Sequence, residues 1–270
     1  MQFYQKHRII ACTLLTCFAV GGVAYVKNSQ TAYTPACTQG NHPFSYTLCQ
    51  LKPAERNLQL KLAWQPPANT PNANKPILDF TNLLKVMPNT RFAMNAGMYD
   101  EKFAPIGYTV IDSEQIKSLN LKNGAGNFHL MPNGVFWWND DGYHIDESRA
   151  FNAKLNASAK DKITPKYATQ SGPMLVINGN IHDDFDPKSE SKKIRNGVGV
   201  CQDGTVKFVA SDTWVSFYEF ADFFKTHLKC DNALFLDGGR ATAVYSKELN
   251  RQDDKYMGVM VVAEQNLSQK

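Results

Sequence analysis

Short apolar runs that stop abruptly at glycine and polar residues recur along this chain, and they commit it to a sheet-rich fold. The segments are Asn95-Ala96-Gly97-Met98-Tyr99, Gln170-Ser171-Gly172-Pro173-Met174-Leu175-Val176, Arg195-Asn196-Gly197-Val198-Gly199-Val200 and Leu236-Asp237-Gly238-Gly239. A strand that ends in this way presents backbone amides and a few side chains at the rim of a rigid scaffold. The chain has 270 residues, 43% of them hydrophobic and 20% charged, which is enough apolar surface for a sizeable core.

The coarse pattern predicts strands over Tyr46–Leu48, Leu58–Trp64, Arg91–Met94, Tyr108–Ile111, Phe128–Met131, Val135–Trp138, Tyr167–Gln170, Met174–Ile177, Gly197–Cys201, Val206–Ala210 and Ala233–Leu236. Three hairpins are expected, with turns at Asn133-Gly134, Asn178-Gly179 and Asp203-Gly204. Asp79 to Val86 reads as a short helix that stops before Pro88. A second helix starts at a capping box made by Ser216 and Glu219 and shows an apolar face of Phe217, Phe220, Phe224 and Leu228. These elements make the expected fold class α+β: a single sheet-rich domain with packed helices, preceded by an N-terminal hydrophobic segment. Residues 1–30 read as a signal-anchor or signal peptide, 31–45 as a linker and 46–270 as the domain, with its motifs between 90 and 246.

Lys6, His7 and Arg8 precede the uncharged run Ile9–Val26, and Lys27 follows it. That is the pattern of export, and the run reaches the lower length limit of a membrane span. No small-x-small cleavage site follows, and neither Cys12 nor Cys17 sits in a lipobox. The reading favours an uncleaved anchor with its basic end in the cytoplasm over a cleaved signal peptide. Either one places the domain in the periplasm or another extracytoplasmic space. Cysteine usage agrees with an oxidising compartment, because Cys37, Cys49, Cys201 and Cys230 are even in number and lack a Cys-x-x-Cys spacing. Of three pairings, Cys37 with Cys49 closes a short loop, while Cys201 and Cys230 fall at the ends of strands that are candidates for neighbours. Reduced core cysteines are the alternative for the second pair.

Asp237 is the leading site candidate, a carboxylate at the end of a fully apolar strand beside two glycines; a plain Asp-Gly turn is the alternative. Asn95 also ends an apolar strand, and its amide suits a sugar hydroxyl or a local turn equally. Arg195 has the planar fork for a phosphate or carboxylate, against a structural ion pair. Ser171 and the Gly172 amide suit ligand binding, but no nucleophile elbow surrounds Ser171. Trp137 and Trp138 offer a ring for sugar stacking, with at least one expected in the core. The histidines are scattered and form no zinc motif, so no cofactor is expected, while a hard divalent cation on aspartates stays open. A net charge of +4 without a Lys/Arg block argues against a nucleic-acid partner.

Together the ordered motifs resemble the phosphodiester glycosidase family, in its bacterial exported branch. The matching segments are Asn95–Tyr99, Gly126–Phe128, Pro132–Phe136, Ala168–Val176, Ile194–Val200 and Phe217–Ala221. The family's glycosidase branch tends to carry Leu-Asp-Gly-Gly-Gly-Ser. This chain has Leu236-Asp237-Gly238-Gly239-Arg240-Ala241-Thr242, with Arg240 and Ala241 in place of the third glycine and the serine, and with Thr242 as the nearby hydroxyl. The resemblance implies an exported hydrolase acting on the glycosidic bond of a sugar-1-phosphodiester in an envelope or extracellular glycan. Asp237, Arg195 and Asn95 are then the catalytic set. Ser171, Gly172, Gly238, Gly239, Arg240 and Thr242 line the substrate, and Asp212 is the candidate second carboxylate. A non-catalytic glycan-binding module and a metal-assisted phosphodiesterase are the rival readings.

Overall fold

The computed structural model describes residues 36–52, 57–66 and 72–266. The apolar run Ile9–Val26, with Cys12 and Cys17, lies outside them. No helix among the described residues is long and apolar enough to cross a membrane.

Strands β1 (Cys37–Gly40), β2 (Tyr46–Leu51) and β3 (Leu58–Ala63) lead to helix α1 (Phe80–Val86). Then come β4 (Thr90–Asn95), β5 (Thr109–Ile111), β6 (Glu114–Lys117), β7 (Gly134–Asn139) and β8 (Gly142–Glu147), which runs into α2 (Ser148–Leu155). They are followed by β9 (Tyr167–Ser171), β10 (Met174–Ile177), β11 (Asn180–Ile181), β12 (Asn196–Cys201) and β13 (Val206–Ser211). Helix α3 (Phe217–Asp222) continues as a π-helical turn over Phe223–His227. Strands β14 (Cys230–Phe235), β15 (Val244–Ser246), β16 (Arg251–Gln252) and β17 (Met260–Gln265) close the described chain.

The strands form three antiparallel sheets, ordered β1-β2-β13-β12-β14-β10-β11, β16-β15-β4-β17-β3 and β6-β5-β9-β7-β8. All three contribute one face to a common core: Leu51, Val198 and Phe208 from the first, Leu60, Phe92 and Val261 from the second, Phe136, Trp138 and Tyr167 from the third. The opposite face of each sheet has its own helix. Phe220, Phe223 and Phe224 of α3 and its extension cover the first, Phe80 and Leu83 of α1 the second, and Phe151 of α2 the third. Central strands β4, β12 and β14 are covered on both faces and almost wholly buried, with Asp231 of β14 the one exposed residue among them.

Local chemistry sets several element ends. Ser216 Oγ accepts from Glu219 N at 3.1 Å, and Glu219 Oε2 accepts from Ser216 N at 2.7 Å, so α3 starts at a reciprocal capping box. Asn178 and Gly179 take φ of 48° and 80°, the backbone that the two-residue β10–β11 turn requires. Disulfides join Cys37 to Cys49 across β1–β2 and Cys201 to Cys230 across β12–β14.

Two expectations need correction. The linker read over 31–45 contains β1, which pairs with β2 from Cys37↔Cys49 to Gly40↔Tyr46. Its sequence, Cys-Thr-Gln-Gly, has no apolar alternation, and only pairing to β2 makes it a strand. Asn133-Gly134 is not a hairpin turn. Gly134 pairs with Glu147 on one side and Ser171 on the other, so β7 is an interior strand. The strand expected over Phe128–Met131 is absent, and a short 3-10 turn at Asn127–His129 stands there instead. Trp137 and Trp138 are both core, bonding through their indole N–H groups to Asp146 Oδ2 and Leu60 O.

Candidate active site

Where the three sheets meet, the chain after β4 threads between the other two. Ala96 O accepts from Asp237 N at 3.1 Å, just beyond β14. Gly97 N donates to Thr169 Oγ1 of β9 at 3.1 Å. A side chain at Gly97 would place a Cβ 2.4 Å from Gln170 O, so only glycine permits this passage. Gly172 has the same reason: its Cβ would lie 2.7 Å from Asn133 Cβ and 2.8 Å from Phe128 O. These close approaches bring the Asn95, Ser171–Gly172, Asn196 and Asp237 segments together from four strands.

Asn95 is fully buried and every polar atom of its side chain is engaged. Its Nδ2 donates to Asp237 O. Its Oδ1 accepts from Ala243 N at 3.0 Å and from Asn196 Nδ2 at 2.9 Å. The residue thus locks the loop carrying Asp237 to β12 and to the start of β15. The amide expected to meet a sugar instead holds the backbone that carries the carboxylate. Asn196 was not singled out from sequence, although it stands beside Arg195 in the same motif.

The Asp237 carboxylate makes no hydrogen bond or ion pair among the described residues. Burial raises its pKa from 3.8 to about 6. A carboxylate with a pKa close to neutrality is a mark of a functional site. Tyr99, in the Asn95–Tyr99 motif, is its titratable neighbour. Burial first, and the Asp237 charge second, raise the phenol to about 12. The Ser171 Oγ, Thr242 Oγ1, Asn133 Oδ1 and Asn196 Oδ1 atoms are buried and have no hydrogen-bond partner among the described residues. Buried polar atoms that a protein leaves unpaired are suited to a polar ligand.

Glycines 238 and 239 fix the turn after Asp237. A Cβ on Gly238 would sit 2.5 Å from the Phe235 ring. Gly239 has φ +65° and donates its N–H to Ile194 O at 2.8 Å. The Gly238 N–H has no acceptor among the described residues. Arg240 follows on a 3-10 turn, exposed, with no hydrogen bond or ion pair among the described residues.

Arg195 is 3% exposed and makes no ion pair with a carboxylate among the described residues. Its Nε donates to Val215 O at 2.9 Å, its Nη2 to Ser191 O at 3.2 Å, and the guanidinium lies 3.5 Å over the Phe217 ring. Desolvation lowers its pKa to about 10, offset in part by Glu219. No hydrogen bond or ion pair joins Arg195 to Asp237 among the described residues. Nη1 has no partner among the described residues. Asp212 stands apart in role: its Oδ1 binds Arg251 Nη1 at 2.7 Å and its Oδ2 accepts from Thr47 Oγ1 at 3.1 Å. That ion pair occupies the carboxylate read as a second catalytic group. Among the described residues, no cluster of three His, Cys, Asp or Glu side chains is arranged to hold a metal ion. An open groove of about 970 Å³, lined by Tyr108, Asn152, Lys162 and Lys166, lies elsewhere and includes none of these residues.

The sequence model of the phosphodiester glycosidase family matches residues 88–263, more than half of the chain and the whole of this site. The chain belongs to that family. The uncharacterized protein YigE of Escherichia coli K12 is 39% identical over 148 residues, which is 55% of this chain and 55% of YigE. The chain therefore matches about half the length of that relative. Two solved structures share the fold at 13% identity. One is a hypothetical protein from Synechocystis, with a TM-score of 0.59 over 85% of this chain and 61% of that one. The other is the catalytic domain of zebrafish N-acetylglucosamine-1-phosphodiester α-N-acetylglucosaminidase, auto-inhibited by its pro-peptide, with a TM-score of 0.58 over 87% and 85%. Family membership thus agrees with the resemblance read from the ordered motifs.

Proposed function

We propose that this protein is an extracytoplasmic hydrolase that cleaves the glycosidic bond of a sugar-1-phosphodiester. Water oxygen joins the anomeric carbon, the C1–O bond breaks, and the phosphate oxygen keeps the electron pair and leaves as a phosphomonoester. The observation that carries this reading is Asp237: a partly buried carboxylate with a pKa near 6 and no hydrogen-bond or ion-pair partner among the described residues, on a loop that Asn95 ties to the convergence of three sheets. Above pH 6 it is ionised, and its charge stabilises the oxocarbenium-like centre as the phosphate departs. A phosphate leaving group needs little protonation, so one carboxylate is sufficient, consistent with Asp212 being tied to Arg251. Arg240 supplies an exposed cation for the phosphodiester, and the Gly238 N–H is a second donor. Arg195, next to the Ile194 carbonyl that accepts from Gly239 N, supplies a buried positive charge. Asn95 acts as a positioning residue through the Asp237 backbone. The two disulfides support an oxidising compartment for the domain.

The test is hydrolysis of α-N-acetylglucosamine 1-(methyl phosphate), with its mannose and galactose counterparts, in oxygen-18 water. Label in the sugar identifies C–O cleavage; label in the phosphate identifies a phosphodiesterase and rejects the proposal. Folded Asp237→Asn should lose about 10²-fold or more in kcat, and wild-type kcat/KM should fall as pH drops below about 6. Full turnover by Asp237→Asn removes the central residue from the mechanism.

A further inference from the structure

Beyond Ala96, whose carbonyl accepts from Asp237 N, lies a row of aromatic rings that runs from the edge of the core, where Tyr99 packs, out to solvent. Tyr99 and Phe103 are stacked at 5.4 Å and 27°, and Tyr256 meets Phe103 edge-on at 6.4 Å and 77°. Tyr256 is 64% exposed, one of only two large hydrophobic side chains so exposed among the described residues. The row is built with some care. Tyr99 Oη donates to Tyr256 O at 3.3 Å. Gly258 makes room for the Tyr99 ring, since a Cβ there would fall 2.7 Å from Tyr99 Cβ.

Phe103 has φ +62°, a left-handed conformation that is a genuine outlier for a bulky residue. The surrounding structure over-determines it. Phe103 N donates to Asp100 O and Trp64 Nε1 to Phe103 O, both at 2.9 Å. Asp100 Oδ1 accepts from Lys102 N at 2.8 Å and Ala104 N at 3.0 Å. Strain that is held in place against such a preference concentrates at binding and catalytic sites. Here it presents a ring between one aromatic neighbour that senses the Asp237 charge and another that faces solvent.

We infer that the Tyr99–Phe103–Tyr256 row is a carbohydrate subsite that receives the pyranose ring whose anomeric carbon faces Asp237. A pyranose offers one C–H face to aromatic rings and hydroxyls along its edge. The row has the matching form: rings on one side, with two phenol groups at their margins. A purely apolar ligand would leave the neighbouring carboxylate desolvated and unpaired. The assignment rests on the proposed glycosidase reading for which group Asp237 faces, but its test is a binding test and stands apart from turnover.

Binding of the same three sugar-1-phosphodiesters is measured by calorimetry for the full chain and three variants. Tyr256→Ala removes an exposed ring with little risk to folding. Phe103→Gly removes the second ring and relieves the positive φ, so the turn should persist. Tyr256→Phe keeps the ring without its hydroxyl. Tyr256→Ala and Phe103→Gly should each raise Kd about fivefold, and Tyr256→Phe should stay within about twofold of wild type. Wild-type affinity in both ring-deleted variants overturns the subsite, as does an equal loss in Tyr256→Phe and Tyr256→Ala, or no binding of any of the three sugars by the wild type. Ring-dependent binding without turnover keeps the subsite and rejects the hydrolase; turnover with ring-independent binding does the reverse.

Discussion

Replacing Asp237 by asparagine should stabilise the protein at the pH where it disables it. Burial raises this carboxylate from 3.8 to about 6, and each tenfold change in proton affinity is worth about 1.4 kcal/mol. The folded state therefore holds the Asp237 proton more tightly than the unfolded chain does. Stability falls as pH rises from about 4 to about 6, and above 6 the whole penalty, about 3 kcal/mol, is present. Asparagine carries no charge and avoids that penalty, although its amide lacks a ready partner and gives back about 1 kcal/mol. The net expectation at pH 8 is a gain of about 2 kcal/mol, or about 4–8 °C in Tm for a domain of this size. At pH 4 the gain should be gone and the variant slightly less stable than wild type, because folded wild-type Asp237 is then protonated while the cost of the unpartnered asparagine amide, about 1 kcal/mol, remains. Urea and thermal unfolding of both proteins at the two pH values, with disulfides intact, measures this directly. Equal stability at pH 8, or a gap of the same size at both pH values, would show that Asp237 is not held in a desolvated site.

Arg240→Ala should leave stability within about 0.5 kcal/mol, since the side chain is exposed and makes no hydrogen bond or ion pair among the described residues, while raising KM for a phosphodiester; an unchanged KM separates Arg240 from the substrate. Arg195→Lys keeps a charge but loses the Phe217 stack and the directed bonds to Val215 O and Ser191 O, and should cost about 1–3 kcal/mol in unfolding experiments together with a higher KM. Stability equal to wild type would contradict the packing described for this guanidinium. Gly172→Ala forces a Cβ to within 2.7 Å of Asn133 and should destabilise by about 1–3 kcal/mol, read from the urea midpoint.

Much of this architecture is written in short stretches of chain. The turn at Asn178-Gly179 is legible because its backbone needs positive φ, and the α3 start because Ser216 and Glu219 satisfy each other's orphan amides. Asp237 was visible as a carboxylate that ends an apolar strand before two glycines. The family was visible in the order of such strand ends. These signals are local: each depends on a handful of adjacent residues and on the period or torsion they impose.

What only the tertiary structure decided is how those residues are engaged. Asn95 meets the Asp237 carbonyl from 142 positions away and Asn196 from 101, so whether its amide serves a ligand or the scaffold depends on partners no local window contains. Asp212 looked free until Arg251, 39 residues on, closed on it. Asn133-Gly134 has the chemistry of a tight turn, yet pairing to β8 and β9 on both sides outweighs that preference. Tyr256 reaches the Tyr99–Phe103 pair from about 150 residues beyond it. Local sequence sets which conformations a segment can adopt. Long-range packing decides which polar groups are satisfied within the protein, and so which of them, Asp237 above all, are left for chemistry.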